Sequence, residues 1–235
     1  MKVVILAGGK GSRISQYTQK IPKPMIKVGK VPMLSHIMRI FKFYGFDEFI
    51  IAGGYKINKI KSYYKNSKEF KNMKIIFTGQ NSMTGGRLLK VKKYLKEEEP
   101  FFMTYGDAVS SIDLKKLLNF HKKNKKIATI TAVRPPVKFG ELKINNDSIV
   151  KSFKEKPNVN KGWINGGFFV LNKKIFNYID RYNTVFEREP LTKLTSINQL
   201  IAYKHNKHWM CMDNINEKTK LEEIYKKYKT IWQIK

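Results

Sequence analysis

Residues 3–13 read VVILAGGKGSR, five apolar residues in succession followed by a loop that contains three glycines. A short continuous apolar run that ends in glycine is typical of a strand buried on both faces, as in parallel sheets. The glycines allow a ligand to approach the backbone closely and leave N–H groups that can bind phosphate oxygens. The stretch therefore predicts a buried first strand with an anion-binding loop at its carboxyl end.

Strand and helix patterns alternate through the rest of the first half. Further strand-like runs occur at 49–52, 75–77, 101–103 and 128–133. Helical patterns separate them, and the first of these is opened by Pro32 and closed by Gly45. Strands separated by helical segments of this length indicate βαβ units. We predict an α/β fold with a mainly parallel, Rossmann-like twisted sheet flanked by helices.

The second half is more mixed and predicts a small β-rich elaboration. A hairpin is expected from 141–144 and 149–153, and a strand at 164–171. Helices are expected near 173–179, at 186–194 and from about Glu217 to Tyr228. No repeat or linker divides the chain, so we predict one domain over 1–235, with halves at about 1–133 and 134–235.

The net charge of +29 comes from 47 Lys and Arg against 18 Asp and Glu. It is compatible with nucleic acid, an anionic membrane surface or small anionic substrates as binding partners. The lysines are spread along the whole chain, and the densest run, 122–126, is expected in a loop between a helix and a strand. We interpret this as compositional bias with some contribution to binding small anions. Nucleic acid is not an expected partner, because no reading motif accompanies the charge.

Other compositional features exclude several classes of protein. Cys211 is the only cysteine, so the chain has no internal disulfide, and the four histidines show no recognisable metal-ligand spacing. The N-terminal apolar run is too short for a signal peptide or a membrane span. We expect a cytoplasmic protein with no membrane association.

The candidate ligand-binding residues lie where predicted strands end. Gly8-Gly9, Gly53-Gly54 and Gly106-Asp107 each follow a strand, and open α/β sheets bind ligands at the carboxyl ends of their strands. The first loop fits neither the Rossmann fingerprint nor the P-loop, because its glycines have the wrong spacing. A tight turn would explain the glycines alone, but the basic Arg13 and Lys23-Pro24 that follow favour a phosphate site.

Further motifs follow in a fixed order: SMTGGR at 82–87, YGD at 105–107, FG at 139–140, EKP at 155–157, NGGFF at 165–169 and MD at 212–213. Together with the first loop, this series resembles the sugar-1-phosphate nucleotidyltransferases over essentially the whole chain. Within that family it looks most like the glucose-1-phosphate cytidylyltransferases. The stretch between residues 56 and 82 is shorter than in those enzymes, so the resemblance does not imply the contacts that they make there.

The resemblance implies transfer of a nucleotidyl group from CTP to glucose 1-phosphate, with Mg²⁺ as cofactor and a homo-oligomeric protein. It implies nucleotide-binding residues Leu6, Ala7, Gly8, Gly9, Gly11, Ser12, Arg13, Lys23, Thr84, Gly85, Gly86, Arg87, Tyr105 and Gly106. It implies sugar-phosphate-binding residues Phe139, Gly140, Glu155, Lys156, Asn165 and Gly166. The product, CDP-glucose, would serve surface-polysaccharide or dideoxysugar synthesis, for example of lipopolysaccharide O-antigen.

Elementary chemistry leads to the same roles for the charged residues. The reaction joins two anions at an α-phosphorus, so positive charge and a divalent cation are needed. Lys23 and Arg13 are the catalytic candidates for that charge, with Asp107 as the third catalytic candidate. Mg²⁺ prefers oxygen ligands, which Asp107 and Asp213 can supply.

Three alternatives remain open from the sequence. UTP or dTTP could replace CTP, since cytosine differs from uracil and thymine at one edge of the base. Another sugar phosphate could be the acceptor. A catalytically inactive, nucleotide-binding regulatory protein is the alternative from another class, and the presence of Lys23, Asp107, Lys156 and Asp213 together argues against it.

Overall fold

A computed structural model describes residues 1–95, 99–135, 141–154 and 162–233. The strands are β1 Lys2–Ala7, β2 Lys27–Val28, β3 Val31–Pro32, β4 Glu48–Gly53, β5 Met73–Phe77, β6 Phe101–Tyr105, β7 Ala108–Ser110, β8 Ala128–Val133, β9 Glu141–Ile144, β10 Val150–Lys154, β11 Ile164–Leu171, β12 Leu200–His205 and β13 Trp209–Cys211. The helices are α1 Ser15–Thr18, α2 Met33–Phe43, α3 Ile57–Tyr64, α4 Thr84–Val91, α5 Leu114–Asn124, α6 Glu189–Ser196 and α7 Ile215–Tyr228. Short 3-10 helices cover Ser12–Ile14, Lys23–Met25, Lys92–Tyr94 and Lys173–Tyr178.

The main sheet contains seven strands in the order β12-β8-β11-β6-β1-β4-β5. Its neighbours run parallel except at β11, which is antiparallel to both β6 and β8. The prediction of a mainly parallel sheet flanked by helices is confirmed. Because β1 lies between β6 and β4, the loop that follows it reaches the middle of the sheet's carboxyl edge.

The sheet has a hydrophobic core on each face, and β1 contributes to both. Val3 and Ile5 pack with α2 residues such as Ile37 on one face, whereas Val4 packs with Leu88 of α4 on the other. Alternate residues of a strand point to opposite faces, so a strand covered on both sides must be apolar throughout. This is why β1 is a continuous apolar run.

Three expectations about local structure need correction. Lys173–Tyr178 is a 3-10 helix, started by Asn172, whose side chain accepts a hydrogen bond from the Lys174 N–H. Helix α6 begins at Glu189, because the preceding segment contacts α4 instead of continuing as helix. The first part of the lysine run belongs to α5, which ends where Lys125 adopts a positive φ of 52°.

The pairing of two small ribbons was not predicted, because their strands are only two or three residues long. β2 pairs with β3, and β7 pairs with β13. The second ribbon joins segments about a hundred residues apart. It places the residues that follow β13 close to the end of β6 in the main sheet. Among the described residues, no helix has the length and apolar character that a bilayer crossing requires.

Candidate active site

The ammonium group of Lys23 lies between two carboxylates. Its Nζ is 2.6 Å from Asp107 Oδ2 and 2.5 Å from Asp213 Oδ1. The second carboxylate also accepts a hydrogen bond from Arg13 Nη1 at 2.7 Å. Four charged side chains from the beginning, middle and end of the chain therefore meet in one place, two positive and two negative.

The fold brings these groups together through backbone contacts. Lys23 begins a 3-10 turn after Pro22, and its side chain is only 13% exposed. Asp107 follows β6 in the centre of the sheet. The pairing of β13 with β7 continues in a hydrogen bond from Met212 N–H to the Asp107 carbonyl at 2.9 Å, which places Asp213 opposite Asp107.

The electrostatics of this cluster keep Lys23 charged. Burial by itself would lower the pKa of Lys23, but the charges and hydrogen bonds of Asp107 and Asp213 outweigh it, so the pKa is raised above its ordinary value. The ammonium is therefore available at neutral pH to bind an anion. Arg13, whose side chain is 77% exposed, adds a mobile positive charge at the same place.

A first cleft of about 390 Å³ opens on one side of the cluster. Its wall consists of the loop after β1, the start of α4 and the end of β6, lined by Leu6, Ala7, Gly8, Gly9, Gly11, Ser12, Arg13, Lys23, Pro24, Ser82, Met83, Thr84, Arg87, Tyr105, Gly106, Asp107 and Asp213. Twelve of the fourteen residues for which nucleotide binding is expected are among them. The structure thus gathers residues between Leu6 and Gly106, far apart in the sequence, around one cavity.

A second cleft of about 860 Å³ opens on the other side. Asn165 and Gly166 line it, together with Trp209, whose indole N–H donates to the Gly166 carbonyl at 2.7 Å. The two clefts share four residues, Arg13, Tyr105, Asp107 and Asp213. A molecule in one cleft would therefore meet a molecule in the other at the charged cluster.

Arg87 occupies a buried position behind the first cleft. Its guanidinium donates to the carbonyls of Gly8 at 2.9 Å and Gly79 at 2.8 Å, and to the Thr78 hydroxyl at 2.8 Å. A Cβ on Gly8 would lie 2.0 Å from Arg87 Nη1, and one on Gly54 would lie 2.4 Å from it. These glycines thus leave room for the guanidinium, whose hydrogen bonds join the loop after β1 to the loop after β5.

Gly85 and Gly86 do not line the first cleft and pack against the segment 182–184. A Cβ on Gly86 would lie 1.9 Å from the Tyr182 carbonyl oxygen, and one on Gly85 would lie 2.8 Å from that of Thr184. Their N–H groups donate to the Thr184 carbonyl, which satisfies the first turn of α4. Close packing between two parts of the chain accounts for the two glycines in this structure.

Two acidic residues near the site were not among the predicted residues. Glu187 accepts hydrogen bonds from Thr84 and Tyr105, and Glu217 accepts one from the Asp213 N–H at 2.6 Å. The second could have been found, because Asn214 and Glu217 have the spacing of a capping box at the start of α7. Nothing local distinguishes Glu187 from a surface glutamate.

Four predicted sugar-phosphate residues lie outside the described part of the chain: Phe139, Gly140, Glu155 and Lys156. Pro135 and Ile164, which flank these segments in the sequence, line the second cleft. Their binding role stays a prediction. The described wall of this cleft includes the partly buried Cys211, whose pKa burial raises to about 12, so the thiol is neutral at physiological pH.

The donor set of the charged cluster fits a divalent cation. Two carboxylate oxygens converge on the same ammonium nitrogen, so they face one point in space, and both are hard oxygen donors of the kind that Mg²⁺ prefers. Asp107 and Asp213 are the residues that would hold such an ion.

Comparison with known proteins agrees with this geometry. The sequence profile of the nucleotidyl transferase family matches residues 2–232. Glucose-1-phosphate cytidylyltransferase of Salmonella typhimurium is 41% identical over an alignment that covers 99% of this chain and 99% of that protein. Probable glucose-1-phosphate cytidylyltransferase of Bacillus subtilis is 37% identical, with 100% of both chains covered.

A solved structure shares the architecture. HddC from Yersinia pseudotuberculosis, crystallised in complex with GMP-PN, superposes with a TM-score of 0.77 at 27% identity, covering 95% of this chain and 99% of that one. The family resemblance predicted from the ordered motifs is therefore confirmed. The chain belongs to the nucleotidyl transferase family and is similar along its full length to glucose-1-phosphate cytidylyltransferases.

Proposed function

We propose that the protein transfers a cytidylyl group from CTP to glucose 1-phosphate, which yields CDP-glucose and pyrophosphate. The observation that carries the proposal is the pair of clefts that meet at Lys23, Asp107 and Asp213. One cleft can take the nucleotide and the other the sugar phosphate, with their phosphates side by side. The similarity to glucose-1-phosphate cytidylyltransferases supports this choice of substrates.

In the proposed reaction a phosphate oxygen of glucose 1-phosphate attacks the α-phosphorus of CTP. A new P–O bond forms there, and the bond from the α-phosphorus to the oxygen that bridges to the β-phosphorus breaks, so pyrophosphate leaves with the electron pair. Lys23 stabilises the negative charge on the reacting phosphate, and Arg13 holds the triphosphate. N–H groups of the loop after β1 bind phosphate oxygens.

Mg²⁺ is the proposed cofactor, held by Asp107 and Asp213. A bound Mg²⁺ would neutralise phosphate charge and orient the triphosphate. In the free protein Lys23 binds both of these carboxylates, so its ammonium and a metal ion would compete for the same oxygens. Binding of CTP with its metal would free Lys23 to turn toward the phosphates.

The test is pyrophosphate release from purified protein, Mg²⁺ and glucose 1-phosphate, with CTP, UTP, dTTP, ATP and GTP in separate reactions. We expect release with CTP. Release with another nucleotide alone would keep the reaction and overturn the choice of base. If no pyrophosphate is released with any of the five nucleotides, nor with other sugar phosphates, the result would favour the regulatory alternative.

We also propose that the reaction takes place in the cytoplasm, where CTP is made, and supplies the synthesis of surface polysaccharide such as O-antigen. Fractionation of cells and the loss of CDP-glucose when the gene is deleted would test these two points. CDP-glucose that persisted unchanged in the deletion strain would contradict the assignment to this supply route.

A homo-oligomer is proposed from an exposed apolar surface on the hairpin β9–β10. Leu142 pairs with Phe153 and Ile144 with Val150, so these four side chains lie on one face, and each is 50–61% exposed. An isolated two-stranded hairpin is marginally stable in water unless something packs on it. A second copy of the chain covering this face would explain why it is apolar.

Replacing Phe153 by serine should shift the protein toward the monomer. The association constant should fall at least about tenfold, since the interface would lose an aromatic ring that it buries. Sedimentation velocity at several concentrations measures this. Phe43→Ser is the matched control, because Phe43 is 62% exposed and Phe153 61%, and only Phe153 lies on the hairpin. A wild-type protein that sediments as a monomer would contradict the proposal.

A further inference from the structure

Glu187 stands behind the wall that the two clefts share. One carboxylate oxygen accepts a hydrogen bond from the Tyr105 hydroxyl, and the other accepts one from the Thr84 hydroxyl at 2.6 Å. Thr84 lines the first cleft, and Tyr105 lines both. The described residues that line the two clefts do not include Glu187, so its contacts with a substrate would be indirect.

Polar contacts continue beyond these three residues on both sides. Toward the first cleft, the Phe186 N–H donates to the Thr84 hydroxyl oxygen at 2.9 Å. Toward the second, the side chain of Asn165 lies near the Tyr105 hydroxyl, and its oxygen accepts the Gly167 N–H at 2.8 Å. Glu187 thus lies in the middle of a set of polar groups between the first residue of α4 and β11.

The donor and acceptor pattern favours a carboxylate at this position. Thr84 and Tyr105 each have a single hydroxyl proton, and both protons are given to Glu187, one to each oxygen. An ionised carboxylate offers two acceptors, whereas an amide of the same shape offers only one.

We propose that Glu187 is a positioning residue that fixes Thr84 and Tyr105 relative to each other, and so aligns the occupants of the two clefts. This proposal rests on the proposed function, since alignment matters only if two substrates react. Transfer between bound substrates depends steeply on their relative placement, and small displacements of a supporting group reduce the rate. Removing the carboxylate should therefore affect both substrates, although it touches neither.

The experiment compares Glu187→Ala, Glu187→Gln, Tyr105→Phe and the double variant Glu187→Ala/Tyr105→Phe. For each protein, kcat and KM are measured for CTP and for glucose 1-phosphate, with pyrophosphate release as the signal. Glu189→Gln is the matched control, because it removes the same charge from an exposed position two residues away. Thermal melting of every variant shows whether the fold persists.

We expect Glu187→Ala to lower kcat/KM for both substrates by about tenfold or more, because two hydroxyls lose their acceptor. Glu187→Gln should lower kcat/KM for both substrates about threefold, because its single acceptor oxygen still accepts a hydrogen bond from one hydroxyl. Since Glu187 acts through the Tyr105 hydroxyl, the double variant should be little worse than Glu187→Ala alone. Glu189→Gln should behave as wild type.

An effect of Glu187→Ala on one substrate only would overturn the proposal, as would losses that multiply in the double variant. A wild-type protein without turnover would refute the proposed function but would leave this question decidable by titration calorimetry with CTP·Mg²⁺ and glucose 1-phosphate. Dissociation constants that rise for both ligands in Glu187→Ala would support positioning. A rise for one ligand or for neither, or a wild-type chain that binds neither, would overturn it.

Discussion

Replacing Lys23 by alanine should lower kcat by about 10²- to 10³-fold, the usual cost of removing one preorganised group that stabilises transition-state charge. The same change should tighten binding of Mg²⁺ to the free protein. In the structure the Lys23 ammonium binds Asp107 and Asp213 at 2.6 and 2.5 Å, and without it a metal ion would no longer compete with that ammonium for their oxygens. A lower kcat together with a higher affinity for Mg²⁺ is therefore the expected result.

Steady-state kinetics and calorimetric titration with Mg²⁺ measure these two quantities. Lys20→Ala is the matched control, because Lys20 is an exposed lysine three residues earlier and should change neither value. Asp107→Asn should lower kcat and weaken Mg²⁺ binding together, since it removes an anionic oxygen. A Lys23→Ala protein with nearly wild-type turnover would contradict the role given to this residue.

Replacing Arg87 by lysine should lower the free energy of unfolding by roughly 3 kcal/mol, although the charge is conserved. The guanidinium bonds the carbonyls of Gly8 and Gly79 through different nitrogens, in a space that Gly8 and Gly54 keep open. A lysine ends in one compact donor, so it cannot bond both carbonyls and the Thr78 hydroxyl, and at least one of these largely buried hydrogen bonds is lost.

Urea unfolding followed by circular dichroism measures the loss of stability, and Arg188→Lys, the same change at an exposed position, is the control. The affinity for CTP should fall as well, because Arg87 fixes the Gly8 carbonyl and with it the loop after β1. An unfolding free energy within about 0.5 kcal/mol of wild type would show that the guanidinium bonds contribute little.

The elements that the sequence predicts well are those whose pattern is local. The strands at 128–133 and 164–171 were predicted with the residues that the structure gives them, and α2 lies where Pro32 and Gly45 indicate. Each of these elements can be predicted from a few neighbouring residues, because burial of one face or of both fixes the spacing of the apolar residues within the element. The position of the glycine loop follows from a strand end in the same way.

The sequence by itself therefore determined the class of fold, the edge of the sheet that carries the site and the residue types that the chemistry requires. The tertiary structure alone decided that Lys23 lies between carboxylates 84 and 190 residues away, and that Arg87 is buried on Gly8. It also decided that Glu187 joins Thr84 to Tyr105. Such pairings depend on how distant strands and loops are placed against each other, and no local period of the sequence records that placement.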